Sequence, residues 1–199
     1  MLKEYLGQGK RGIVYKATSK GKPIVLKVEN PKSKAYARID NEAYWLKRLN
    51  KYNIGPKFIK FEDNTLTREF VNGDEIINWI KKNKKQKIKN ILKKLFDQCK
   101  TMDKLKVNKL EMHKPVKHII VSKNNPIMID FERCYKTDKP KNVTQFSQFL
   151  MSNNLSTILN EKGITFDDKE IIKANKTYKN LQNKKNYILV LKAFNLPNS

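Results

Sequence analysis

The sequence predicts an α+β fold in two parts. A strand-rich part with one helix should occupy residues 1–71, and a mainly helical part residues 72–199. Three observations predict it. Leu6-Gly7-Gln8-Gly9-Lys10-Arg11-Gly12-Ile13-Val14-Tyr15 is a glycine-rich run that passes directly into β-branched residues, the pattern of a strand–turn–strand hairpin. Pro23-Ile24-Val25-Leu26-Lys27-Val28 is an apolar strand interrupted by a single lysine. Residues 87–105 carry Ile88, Ile91, Leu92, Leu95, Cys99, Met102 and Leu105 at helical spacing with lysines opposite, which predicts a central helix of the second part.

Taken in order, Gly7, Gly9 and Gly12 form a GxGxxG run. A dinucleotide-binding loop would open a helix here, and a Walker-type loop would continue Gly-Lys-Ser/Thr; the sequence does neither. An ordinary surface hairpin and a lid whose backbone N–H groups approach phosphates both fit. The next strand places Ile24, Leu26 and Val28 on one face, Val25 and Lys27 on the other. Residues 33–50 read as a helix with an apolar stripe at Ala35, Ile39, Ala43 (or Leu46) and Leu49. Glu42, three after Ile39 and four before Leu46, falls on its inward side. A lysine on a sheet and a glutamate on an inward helix face each need a partner, and the simplest solution is that they pair.

Further along, Leu66–Gly73 reads as a strand running into a connection. Ile119-Ile120-Val121 is a short apolar strand, Asn124-Asn125-Pro126 a turn, and Ile127-Met128-Ile129 a strand ending in Asp130-Phe131-Glu132. A carboxylate at the end of a buried strand is costly unless it meets a cation. Helices are expected at 145–151 and 168–182, and a buried helix or late strand at 187–191.

Glycine hairpin, strand lysine, helix glutamate and strand-terminal Asp-Phe, in this order, resemble the protein-kinase-like superfamily along nearly the whole chain. More narrowly it looks like the small atypical members: the RIO kinases, the kinase subunit of the KEOPS tRNA-modification complex, and compact archaeal predicted serine/threonine kinases. The resemblance implies an α+β bilobal protein-kinase-like fold, with a five-stranded antiparallel N-lobe sheet and one helix over 1–71 and a reduced, mainly helical C-lobe over 72–199, an ATP cofactor and Mg²⁺ or Mn²⁺. Gly7, Gly9 and Gly12, flanked by Leu6 and Val14, would form the phosphate lid, Lys27 the phosphate anchor, Glu42 its partner and Asp130 a metal ligand. The Glu69 carbonyl and Val71 amide would face the adenine edge, which puts Arg68 at the gatekeeper position, usually uncharged.

The catalytic loop departs from the pattern. Kinases carry HRDLxxxN before an apolar strand, whereas this chain reads Glu111-Met112-His113-Lys114-Pro115-Val116-Lys117-His118. Aligning the strands puts His113 where the catalytic aspartate belongs and His118 where the metal-binding asparagine belongs. Asp130 is followed by Phe-Glu rather than Phe-Gly, and no Ala-Pro-Glu sequence follows. His113 could orient a hydroxyl or, protonated beside Glu111, contact a phosphate. His118 could offer a ring nitrogen to a divalent ion, shifting preference toward Mn²⁺.

Net charge is +24, from 43 Lys and Arg against 19 Asp and Glu, and it predicts attraction to polyanions. Only Arg11, Arg38, Arg48, Arg68 and Arg133 are arginines, and the wealth of Asn and Ile fits an A/T-rich coding bias that inflates lysine. The lysine-rich 81–94 segment is a candidate for non-specific RNA binding, with no interleaved aromatics for sequence reading. Cys99 and Cys134 have no metal or redox spacing. Met1–Tyr5 leads directly into the first strand, and no apolar run reaches membrane-spanning length, so no membrane association and a cytoplasmic location are expected.

Three functions are therefore open: an atypical ATP-dependent serine/threonine kinase acting on another protein or itself, an ATP-binding pseudokinase regulating a partner or ribonucleoprotein, and a small-molecule phosphotransferase.

Overall fold

The computed structural model describes residues 3–9, 12–31 and 38–197. The chain divides into two compact units, Met1–Asn72 with Ile127–Cys134, and Gly73–Pro126 with Tyr135–Ser199. The first division falls one residue beyond the expected Val71/Asn72 boundary. The return of Ile127–Cys134 to the first unit was not expected from the sequence.

The first unit is an antiparallel five-stranded sheet and one helix. Its elements are β1 (Glu4–Gln8), β2 (Gly12–Ser19), β3 (Lys22–Glu29), α1 (Arg38–Leu49), a 3₁₀ turn (Asn50–Tyr52), β4 (Phe58–Glu62) and β5 (Thr65–Glu69). Strand order is β1-β2-β3-β5-β4. Two hairpins close on residues that tolerate positive φ: Lys20-Gly21 between β2 and β3, and Asp63-Asn64 between β4 and β5. The alternation in β3 is as expected. Ile24 and Leu26 join Ala17 and Tyr15 in an apolar cluster on one face. Helix α1 packs on β3, β4 and β5 and buries Ile39, Glu42, Ala43, Trp45, Leu46 and Leu49. It ends at Leu49, one residue before the end of the expected 33–50; residues 32–37, with Ala35, lie outside the described residues. Gly55 has φ +86, and a Cβ there would stand 2.7 Å from Leu46 Cδ1 and 2.8 Å from Phe131 Cε2. The segment carrying Phe131 thus packs into the core beside α1.

The second unit is mainly helical. It comprises β6 (Asp74–Glu75), α2 (Ile76–Lys82), α3 (Lys85–Lys104), β7 (Val107–Lys109) and β8 (Ile119–Ser122). The chain then passes through β9 (Asn125–Met128) into the first unit and returns through β10 (Cys134–Lys136). There follow α4 (Asn142–Met151), α5 (Asn153–Glu161), α6 (Asp168–Asn180) and α7 (Lys184–Ala193). Helix α3 buries its whole predicted stripe except Leu105, which caps its C-terminal end. Phe96 of α3 meets Phe146 of α4 edge-on at 4.9 Å between ring centroids, and Phe194 at 5.3 Å. The 187–191 segment is helical within α7. The expected Asn124-Asn125-Pro126 turn is displaced by one residue. Lys123 and Asn124 take the positive φ values of a two-residue hairpin turn, leaving Asn125 and Pro126 in β9.

Candidate functional site

The first unit gathers its chemistry around Lys27. Its Nζ lies 2.5 Å from Glu42 Oε2, 3.2 Å from Asp130 Oδ1 and 3.2 Å from Glu132 Oε2. Lys27, Glu42 and Glu132 are all buried, and Asp130 is partly exposed. The sequence places these groups locally. Lys27 occupies the helix-facing side of β3, and Glu42 sits on the buried stripe of α1. Asn41, its neighbour, donates through Nδ2 to the carbonyls of Glu132 (2.9 Å) and Cys134 (3.0 Å). Those two bonds tie the 130–134 segment to the start of the helix. Asp130 has φ +63, a left-handed conformation that Asp accepts better than most residues. The chain turns there, two residues beyond the end of β9.

Burial alone would lower the Lys27 pKa. The carboxylates of Glu42, Asp130 and Glu132 outweigh it and hold the ammonium protonated far into the alkaline range. Three carboxylates around one ammonium still leave negative charge in excess. The oxygens of Glu42, Asp130 and Glu132 lie within 4.8 Å of one another, and carboxylate oxygens suit a hard divalent cation such as Mg²⁺ or Mn²⁺.

The glycine hairpin borders this cluster. Val14 pairs with Lys27 across β2 and β3. A Cβ on Gly12 would stand 2.9 Å from Lys27 Cε and 3.2 Å from the Val28 carbonyl oxygen, whereas one on Gly7 would meet nothing within 4 Å. Gly9 N–H donates to the Gly12 carbonyl at 2.8 Å, and Asn30 Nδ2 donates to the Gly9 carbonyl at 3.2 Å. These two bonds hold the base of the loop. Leu6 is exposed at 43% and Val14 half-buried. Lys10 and Arg11 lie outside the described residues.

At the other end of the same sheet face, Arg68 of β5 pairs with Val25 of β3. Arg68 is buried, donates through Nη1 to the Glu69 carbonyl at 3.1 Å, and has no partner for Nε. Glu69 is exposed, its N–H donating to the Lys57 carbonyl at 2.9 Å, while Val71 is buried.

The second unit holds the remaining predicted residues in the 111–118 turn. His113 is exposed. His118 is half-buried, with Nδ1 3.3 Å from Glu111 Oε2. Ligand atoms of Glu111 and His118 lie within 4.8 Å of each other, close enough to share one cation. The lysines at 81, 84, 85 and 87 are exposed around the junction of α2 and α3, and Lys82 pairs with Asp74 at 3.0 Å. Cys99 and Cys134 are buried thiols within their units. Among the described residues, no helix is long and apolar enough to cross a membrane.

Sequence reasoning brought together Lys27, Glu42 and Asp130. It missed Glu132, Asn41 and the Glu111–His118 pair. The available signal for Glu132 was its spacing of two from Asp130.

No family model matches the chain, and comparison with curated proteins gives no match.

Proposed function

We propose that the protein is an atypical phosphotransferase of the protein-kinase-like kind, moving the γ-phosphoryl of a nucleoside triphosphate to a protein hydroxyl, its own included. The observation that carries this reading is the buried Lys27 joined to Glu42 of the facing helix, with Asp130 and Glu132 on the same ammonium. An ammonium held this way is positioned before any ligand arrives, and phosphoryl transfer asks chiefly for positioning and charge neutralisation. The resemblance points to ATP as the triphosphate.

The excess negative charge of the cluster repels a bare triphosphate, so binding should require a divalent metal. Asp130 and Glu132 would hold Mg²⁺ or Mn²⁺, which supplies neutralisation of the phosphate oxygens. Lys27 is then free to exchange one carboxylate for a phosphate oxygen while Glu42 keeps it oriented. The narrow approach at Gly12 keeps the Lys27 stem in place beneath the hairpin.

The resemblance assigns the acceptor hydroxyl to His113, an exposed imidazole of the second unit. Labelled triphosphate with Mg²⁺ or Mn²⁺ tests both points. Label should enter the chain itself or an added acceptor protein. His113→Ala should lower the rate by ~10²-fold or more. Nucleotide binding without turnover would identify a pseudokinase, and label in a metabolite a small-molecule phosphotransferase.

A further inference from the structure

We propose that Arg68 makes the nucleotide site select a guanine over an adenine base, by presenting a buried donor face to the 6-position of the purine. The proposal rests on the nucleotide reading above and changes only which base is taken. Lys27 marks the phosphate end of the site. Lys27 and Val25 share one face of β3, and Arg68 is the cross-strand neighbour of Val25, two residues or about 7 Å along the strand from the lysine. It also adjoins Glu69, where β5 ends. A triphosphate anchored at Lys27 and extended along this face toward Glu69 brings its base to Arg68.

Three features of Arg68 bear on the base. Its guanidinium carries five N–H donors and no acceptor. Burial works against the charge, but Glu42 and Asp130 oppose that effect, and an arginine stays protonated at any pH the protein meets. Nη1 donates to the Glu69 carbonyl, the acceptor that the resemblance assigns to the exocyclic amine of adenine, and the buried Nε has no partner. An adenine amine placed here would set donor against donor beside a carbonyl already engaged. Guanine offers O6 and N7, both acceptors, to the same donors.

Competitive displacement of a fluorescent triphosphate by ATP, GTP and ITP, with Mg²⁺ present, tests this. ITP carries the 6-oxygen without the 2-amine of guanine. GTP and ITP should bind roughly 10- to 100-fold more tightly than ATP, the range of one well-made arginine–guanine contact. Arg68→Gln, whose amide can both donate and accept, should shift the preference toward ATP. Arg68→Met should bring the three affinities within about threefold of one another, with folding checked by thermal melting. ATP binding as tightly as GTP in the wild type would overturn the proposal and leave the nucleotide reading standing. A guanine preference that survives in both variants would do the same. Binding of no triphosphate at all would overturn the nucleotide reading and this proposal with it.

Discussion

Gly12 lies directly against the side chain of Lys27: a Cβ at that position would stand 2.9 Å from Lys27 Cε. The glycine hairpin is therefore coupled to the lysine by packing, apart from any contact its backbone makes with phosphate. The coupling distinguishes two glycines of one motif.

Gly12→Ala should displace the Lys27 stem, because the Val28 carbonyl at 3.2 Å closes the other side. Triphosphate affinity is expected to fall by about tenfold or more, and the unfolding midpoint to drop measurably, by the ~1–3 kcal/mol that overpacking costs. Gly7→Ala should leave the midpoint unchanged, since its Cβ meets nothing. Equal thermal effects of the two substitutions would contradict the packing account.

Removing the Lys27 charge should destabilise the first unit as well as impair binding. Lys27→Met leaves buried carboxylates facing one another, and an uncompensated buried charge costs ~3–5 kcal/mol. Lys27→Met combined with Glu42→Gln should recover part of that loss. Denaturant unfolding of the single and double variants measures the coupling. Strict additivity would show that the two groups do not interact in solution.

A separate prediction concerns the second unit. Asp103, at the C-terminal end of α3, is buried and accepts from Asn142 N–H (2.9 Å), Asn142 Nδ2 (2.7 Å), Val143 N–H (3.2 Å) and the Tyr178 hydroxyl (3.2 Å). Burial outweighs these bonds and pushes its carboxyl up to about 6. The folded value lies above the unfolded one, near 3.9, so the native state holds the extra proton between them. Stability from this group is present below about pH 4 and is lost as pH rises through about 6, by roughly 2–3 kcal/mol in all. Comparing urea unfolding at pH 4.5 and 7.0 in wild type and Asp103→Asn checks this. The part of the pH difference due to Asp103 should vanish in the variant, and an unchanged difference would remove Asp103 as its source.

Much of the first unit was legible because strand alternation and turn chemistry are local. The two faces of β3, the inward Glu42 and the glycine hairpin each follow from spacing within a few residues. What escaped depends on where the chain turns. Positive φ at Asp130 redirects the chain just beyond β9, and Glu132 reaches Lys27 with the segment held by Asn41. Periodicity carries no signal of such a turn at a non-glycine residue. In the 111–118 segment, the turn folds Glu111 against the imidazole of His118, seven residues on, and no spacing rule announces that contact. The Asp103–Asn142 contact joins residues 39 apart in sequence, and no local pattern announces it.

The central claim is that the Lys27 cluster takes a metal–triphosphate complex, and calorimetric titration tests it most directly. Asp130→Asn is a suitable variant, because asparagine also tolerates the left-handed φ of +63 and the backbone need not change. Wild-type protein should bind GTP or ATP with Mg²⁺ or Mn²⁺ present and lose most of that affinity in chelator. Asp130→Asn should bind the metal–nucleotide at least about tenfold more weakly while melting near the wild-type temperature. Affinity that is absent, or that is indifferent to metal and to Asp130→Asn, would contradict the account.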